Sequence, residues 1–236
     1  MNYAILLSGG KGSRIDSKIP KQYIRCNGCM MVTRAFSTLA ECDNIDGIIV
    51  VAESEWEEEI AKDIKAFNAD TEKFIKFCKP GATRQLSILS GMEGLAGTKS
   101  PECFSVSDTV LVHDAARPFL TVEMLKRCYD ALSGNDGVMP VLPMKDTVYQ
   151  SDDGRKVSKL LNRSSIFAGQ APELFMLKKY YEANVKLLPD EILKINGASE
   201  PAIMAGMEIF MIPGDEKNFK VTTDEDLKRY ESLGVK

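Results

Sequence analysis

Short apolar runs alternate with longer segments of helical period, and this alternation limits the chain's possible folds more than any other feature. Residues 3–7, 47–52, 74–77, 109–113 and 137–142 read as strands. Residues 53–67 read as an amphipathic helix, with Trp56, Ile60, Ile64 and Phe67 at helical spacing and Glu57–Glu59 on a solvated face. Residues 84–95 and 122–132 continue the helical pattern. Strand–helix alternation of this kind predicts an α/β architecture, with helices layered on a mostly parallel sheet. Residues 144–163 differ: they are polar, carry Asp152-Asp153-Gly154 as a turn, and have β-branched residues on both sides. They read as a protruding β-hairpin or arm. Residues 219–221 read as a late strand, and Thr222 and Glu225 are spaced as a capping box for a last helix over 224–233.

With 236 residues and no repeat or linker, the expectation is one domain over 1–236 carrying that arm. Lys plus Arg is 30 against 34 Asp plus Glu, a formal net charge of -4. That balance argues against nucleic acid as a partner, so any anion site must be a local cluster of cations. No apolar run approaches the ~20 residues of a spanning helix. The N-terminus has no basic start followed by a long apolar stretch, so no membrane association and a cytoplasmic location are expected. Of six cysteines only Cys26 and Cys29 have metal-like spacing, and no second pair completes a site. They flank Asn27-Gly28, a two-residue turn signal, and read as a structural hairpin. A single histidine excludes a multi-histidine zinc site, and no Gly-x-Ser-x-Gly elbow is present.

The first strand runs into Ser8-Gly9-Gly10-Lys11-Gly12-Ser13-Arg14. Glycines let backbone N–H groups approach an anion, and Lys11 and Arg14 add charge. The third glycine of a dinucleotide fingerprint is absent, and no Gly-Lys-Ser/Thr closes a Walker loop. A glycine-rich turn also serves packing alone. Pro20-Lys21-Gln22 follows, and Lys18 and Lys21 with Arg14 concentrate positive charge, while Arg84, Arg117 and Lys220 recur at other element ends. Val112-His113-Asp114-Ala115-Ala116-Arg117-Pro118 ends a buried strand, where open α/β sheets bind ligands. Asp114 suits Mg²⁺ and Arg117 a phosphate; a buried salt bridge is the plainer alternative. His113 reads as a packed strand residue.

These motifs, with Arg84 and Ser87, Asp146-Thr147, Asn162-Arg163, Gln170-Ala171-Pro172 and Asn218-Phe219-Lys220-Val221-Thr222, resemble the cytidylyltransferases that act on sugar-alcohol phosphates. The resemblance spans nearly the whole chain. It implies a Rossmann-like nucleotide-diphospho-sugar transferase fold and a Mg²⁺-dependent reaction in which CTP and a polyol phosphate give a CDP-polyol and pyrophosphate. Ser8, Gly9, Gly10, Gly12 and Arg14 would wrap the triphosphate, with Arg14 and Lys21 on phosphates. Gly81, Arg84 and Ser87 would lie near the cytidine. Asp114 would sit between metal and acceptor, with Arg117 beside it. Lys220 would support the attacking phosphate. Thr147 and Arg163, on an arm exchanged within a homodimer, would reach the acceptor bound to the neighbouring subunit. Both reactants are polyanions; two unit charges 4 Å apart repel by about 4 kcal/mol at an effective dielectric of ~20, so cations must offset that cost. No covalent nucleophile is needed, because positioning and electrostatics carry such reactions.

Departures from the family pattern fall mainly on the acceptor side. Pro80 replaces the first glycine of a Gly-Gly pair, Ala171 a threonine and Glu173 a glutamine, and residues 196–200 replace an acidic segment. Ser199 and Glu200 could supply a replacement hydroxyl and carboxylate. The acceptor expected on these grounds is like ribitol 5-phosphate, with the methylerythritol phosphate branch as the alternative. Two further readings stand beside it: a nicotinamide-dependent reductase of alditols, and a non-catalytic nucleotide-binding module.

Overall fold

The computed structural model describes residues 1–10, 19–67, 69–97 and 101–233. In chain order, β1 (Asn2–Leu7) precedes the hairpin of β2 (Arg25–Cys26) and β3 (Cys29–Met30), then α1 (Met31–Ala40), β4 (Gly47–Val51), α2 (Ser54–Ala66), β5 (Phe74–Cys78) and α3 (Arg84–Ala96). There follow β6 (Thr109–Asp114), α4 (Val122–Asp130), β7 (Gly137–Pro143), β8 (Val148–Gln150), β9 (Lys159–Leu161), β10 (Phe167–Gly169) and β11 (Glu173–Met176). The chain continues through α5 (Leu177–Val185), α6 (Glu200–Met204), β12 (Ile209–Pro213) and α7 (Asp224–Ser232).

β5, β4, β1 and β6 form a parallel run in that order, and β11 then joins antiparallel to both β6 and β7. β7 pairs with β12 in parallel and with β10 antiparallel. The unbroken apolar character of β1, β4 and β6 follows from burial on both faces. Ala4, Leu6, Ile48, Val50 and Leu111 pack with Val32, Phe36 and Leu39 of α1, Ile60 and Ile64 of α2, and Leu125 of α4. Their neighbours Ile5, Ile49, Val51, Val110 and Val112 point to the opposite face, against Ile88, Leu89 and Met92 of α3 and Tyr180 and Tyr181 of α5. Successive side chains on a strand thus feed two cores, and the parallel strands bring their carboxyl ends to one edge.

The Asn27-Gly28 turn forms as its residue types require, with φ of 53° and 92°, and both flanking cysteines are buried and free. Several elements escape the sequence pattern, among them α1, β10, β11, α5 and β12. Two expectations need correction. Residues 219–221 form no strand: Val221 N–H donates to the Ala116 carbonyl (2.8 Å), and Phe219 and Val221 pack with Phe119 and Tyr230 in a small satellite core. The capping box of α7 lies one residue later than expected. Thr223 accepts from the Asp226 amide, and Asp226 accepts from the Thr223 amide (3.0 Å). Both frames fit the sequence; in the second, Asp226 also accepts from the Thr222 amide (2.9 Å) and hydroxyl (2.8 Å).

The parallel strand ends meet closely. A Cβ on Gly9, just past β1, would stand 2.4 Å from the Cβ of Pro80, just past β5. Overpacking of this kind costs about 1–3 kcal/mol. Gly9→Ala should therefore destabilise the protein by that order in the native background and by clearly less when Pro80 is also changed to Gly. A double-mutant cycle by chemical denaturation checks this, because touching side chains couple and distant ones add.

Candidate active site

The carboxyl ends of β1, β4, β5 and β6 open into a cavity of about 750 Å³. Its wall includes Ser8, Gly9, Gly10, Lys21, Gln22, Glu53, residues 80–84, Ser87, Asp114 and Lys220. The glycine turn after β1 is anchored before it reaches the cavity. Ser8 N–H donates to the Val51 carbonyl (2.8 Å), extending the β1–β4 ladder. The Gln22 side-chain amide donates to the carbonyls of Ser8 and Gly10 (both 2.7 Å), and the Tyr23 hydroxyl donates to Ser8 (2.7 Å). Both donors stand on a 3₁₀ turn, Lys21–Tyr23, so the contacts that hold the glycine loop also set Lys21 in the wall. Trp56 stacks on Tyr23 with ring centroids 4.4 Å apart.

Asp114, the last residue of β6, is buried and engages cations from two remote segments. Its Oδ1 accepts from Arg84 Nε (3.1 Å) with Arg84 Nη2 at the same distance, and its Oδ2 accepts from Lys220 Nζ (2.9 Å). Burial alone would raise its pKa, but Arg84, Lys220 and Arg117 outweigh burial and hold the carboxyl well below the usual range. Arg84 opens α3. Thr83 caps that helix by accepting from Leu86 N–H (3.2 Å), and Ser87 Oγ donates to the Thr83 carbonyl (2.9 Å) and accepts from Gly81 N–H (3.1 Å). A Cβ on Gly81 would meet Leu86 Cβ at 2.3 Å, so the tight turn into α3 requires glycine.

Lys220 stands on an irregular loop whose braces were not assigned a role from sequence. Gln170 donates to the Asp215 carbonyl and accepts from the Asp215 amide, each at 3.0 Å, and Asn218 donates to the Ala171 carbonyl (2.8 Å). The only signal for these braces in the sequence was the pair of motifs containing Gln170 and Asn218. Arg117 belongs to the same brace: its Nη1 donates to the Asn218 carbonyl (2.7 Å), and it is absent from the cavity wall. His113 is fully buried, with Nε2 3.2 Å from the Arg117 carbonyl oxygen. Burial pushes its pKa down to about 4, so it is a neutral packing residue.

The structure thus brings Ser8, Gly9, Gly10, Lys21, Gly81, Arg84, Ser87, Asp114 and Lys220 to one cavity. Gly12 and Arg14 lie outside the described residues. Thr147 and Arg163 are exposed at the β8–β9 hairpin and form no part of the cavity wall; Arg163 Nη1 donates to the Lys145 carbonyl (2.6 Å). Glu200 does not supply the replacement carboxylate considered above. Its Oε1 accepts from the amides of Gly197 (2.6 Å) and Asn196 (3.1 Å), which keeps it within its own loop. Glu173 is the buried acid next to the cations, with Oε1 3.9 Å from Arg84 Nη2. Burial pushes its carboxyl up to about 7, with Arg84 and hydrogen bonding from Ser199 opposing and Asp114 adding. Among the described residues no cluster of three or more metal-ligating side chains exists. Asp114, whose carboxyl is held ionised at the wall, suits a hard divalent cation that takes its other ligands from phosphate oxygens and water.

Comparison with known proteins gives a consistent result. The family model described as IspD, 2-C-methyl-D-erythritol 4-phosphate cytidylyltransferase, matches residues 3–233. The chain is 30% identical to the 2-C-methyl-D-erythritol 4-phosphate cytidylyltransferase of Thermosipho melanesiensis, over 96% of this chain and 95% of that protein. It is 32% identical to the bifunctional enzyme IspD/IspF of Maricaulis maris over 97% of its own length, but it spans only 56% of that relative. The crystal structure of 4-diphosphocytidyl-2C-methyl-D-erythritol synthase from Anaerococcus prevotii superposes with a TM-score of 0.80 at 26% identity, covering 98% of this chain and 95% of that one. None of the proteins named here is a ribitol-phosphate enzyme, and the acceptor expectation shifts accordingly.

Glu173 makes stability depend on pH. Below pH 4.5, its ordinary pKa, the carboxyl is protonated in both folded and unfolded chains and contributes no difference. Between 4.5 and about 7 the unfolded chain releases the proton while the native chain keeps it, so stability falls as pH rises and the loss is complete above about 7. At about 1.4 kcal/mol per pKa unit the loss is on the order of 3 kcal/mol. Glu173→Gln, which cannot ionise, should match the native protein at pH 4 and exceed its unfolding free energy by that order at pH 8. Urea denaturation at both values checks this; a difference independent of pH would mean that Glu173 is ionised in the native state.

Proposed function

The chain belongs to the 2-C-methyl-D-erythritol 4-phosphate cytidylyltransferase family, and from that premise we propose that it joins CTP to 2-C-methyl-D-erythritol 4-phosphate, releasing pyrophosphate. The observation that carries this reading is the convergence of Lys21, Arg84 and Lys220 around one buried carboxylate in the cavity at the sheet's carboxyl edge. Such a site has positive charge in excess, as a reaction between two phosphate-bearing reactants requires. An oxygen of the acceptor phosphate attacks the α-phosphorus of CTP. A P–O bond forms there as the bond to the pyrophosphate oxygen breaks, and pyrophosphate leaves with the electron pair.

Placement supports the following roles. The Ser8–Gly10 turn and Lys21 hold the triphosphate, and by resemblance Gly12 and Arg14 extend that loop. Lys220 neutralises the attacking phosphate and the charge that builds on the α-phosphoryl group. Arg84 keeps Asp114 ionised and fixed. Gly81 and Ser87 shape the nucleoside end. Mg²⁺ fits Asp114 as its protein ligand and, when bound, offsets phosphate charge. Arg117 supports the loop that carries Lys220. The β8–β9 hairpin exposes Tyr149, Val157 and Leu160, which supports a dimer arm that delivers Thr147 and Arg163 to a neighbouring site.

Pyrophosphate release with CTP against a panel of polyol phosphates tests the reading. Methylerythritol phosphate should have the highest specificity constant, and a clear preference for ribitol 5-phosphate would move the chain to the other branch. Lys21→Ala and Lys220→Ala should each lower kcat/KM by about 10²-fold or more, the scale of one lost transition-state donor.

Assembly has its own test. Mixing an Arg163→Ala chain with a Lys21→Ala chain should recover activity, because one site of each mixed dimer then keeps both residues. Absence of recovery after verified subunit exchange would remove Arg163 from a shared site.

A further inference from the structure

Gln22 lines both the main cavity and an adjoining one of about 540 Å³, yet it has no role in the reaction above. The side chain is buried, and its amide nitrogen donates to the Ser8 carbonyl and to the Gly10 carbonyl, each at 2.7 Å. Both partners are acceptors, so only the nitrogen of the amide can face them. One side chain therefore holds two carbonyls of the glycine turn. Ser8 has other anchors: its carbonyl also accepts from the Tyr23 hydroxyl, and its N–H donates to Val51. The Gly10 carbonyl accepts only from Gln22 among the described residues. A Cβ on Gly10 would meet no atom within 4 Å, so hydrogen bonding and not packing sets that part of the turn.

The direction of those carbonyls decides what the turn offers an anion. In a planar trans peptide the N–H points opposite to the C=O. With the Ser8 carbonyl drawn to Gln22 and Tyr23, the Gly9 N–H points away from both, and among the described residues it meets no backbone acceptor. A loose carbonyl would turn its negative end toward phosphates, whereas a free amide presents its positive end. Gln22 also follows Lys21 directly on the 3₁₀ turn, so the anchor that sets the glycine turn sets the neighbouring cation. We propose that Gln22 is a positioning residue: its amide locks the glycine turn in the anion-binding conformation, with two carbonyls engaged and the Gly9 N–H left for the triphosphate. This inference rests on that turn being the triphosphate site of the reaction proposed above.

Gln22→Met tests it, because methionine keeps the length and bulk of the side chain and removes both donors; a melting curve verifies folding. Gln22→Asn, whose amide is too short to span both carbonyls, carries the test if the first variant does not fold. Calorimetry with inorganic triphosphate and with CTP should show each bound about 10-fold more weakly, the scale of one to two lost hydrogen bonds. In turnover the KM for CTP should rise by a similar factor while the KM for the acceptor stays near its native value. Tyr23→Phe, which removes one donor to Ser8 and leaves Gln22 in place, should lose clearly less. A side chain that served only the fold would lower the melting temperature and the active fraction and leave triphosphate affinity and both KM values unchanged. Native triphosphate affinity in a folded variant, equal rises in both KM values, or an equal loss in Tyr23→Phe overturns the assignment. If triphosphate binding falls as expected but the native protein turns over no polyol phosphate with CTP, the assignment of Gln22 stands and the proposed reaction fails.

Discussion

The Asp114 carboxylate, buried and ionised, sets the requirement that the rest of the site meets. A charge removed from water is costly unless it is paired and hydrogen-bonded. Here the partners come from Arg84 at the start of α3 and Lys220 on the loop before α7, so three distant parts of the chain are tied at one point. Loss of either cation would leave a buried charge short of a partner, which makes the triad a constraint on folding as well as a feature of the cavity. Arg84 and Lys220 outnumber Asp114, and Lys21 stands in the same wall.

Rigidity around this triad comes from side-chain to backbone hydrogen bonds. Gln22 and Tyr23 hold the glycine turn by its carbonyls. Gln170, Asn218 and Arg117 hold the Lys220 loop. On the sheet side, Gln85 of α3 donates to the Tyr180 hydroxyl (3.0 Å) and to Asn184, and Tyr180 donates to the Ala198 carbonyl (2.7 Å). Groups already fixed in place need not be reorganised when charge develops, and this preorganisation gives electrostatic stabilisation its value in catalysis.

Much of the architecture was legible because its signals are local. Strands β1, β4 and β6 are buried on both faces and so read as unbroken apolar runs. α1 was not legible for a related reason. Nearly all its residues are buried, Thr33, Arg34 and Ser37 included, so no polar face marks its period. Thr33 is accommodated by donating to Asp63 of α2 (2.5 Å), a partner thirty residues away. β12 was hidden because it is half exposed and ends in proline.

The sequence by itself determined the alternation of strands and helices, the glycine turn after the first strand, the exclusion of a multi-histidine zinc site, and the residue types that a polyanion site needs. Each depends on neighbours within a few residues, where side-chain periodicity and turn chemistry act. Tertiary structure alone decided which charges meet. Arg84 lies 30 residues from Asp114 and Lys220 lies 106, and no local pattern encodes such pairings. The fold also separated residues that look alike in sequence: Arg117 became a brace while Arg84 became a partner of Asp114. Glu200 turned into its own loop while Glu173 was buried beside the cations. Burial and long-range hydrogen bonding assign those roles, and both exist only once the sheet has brought its strand ends together.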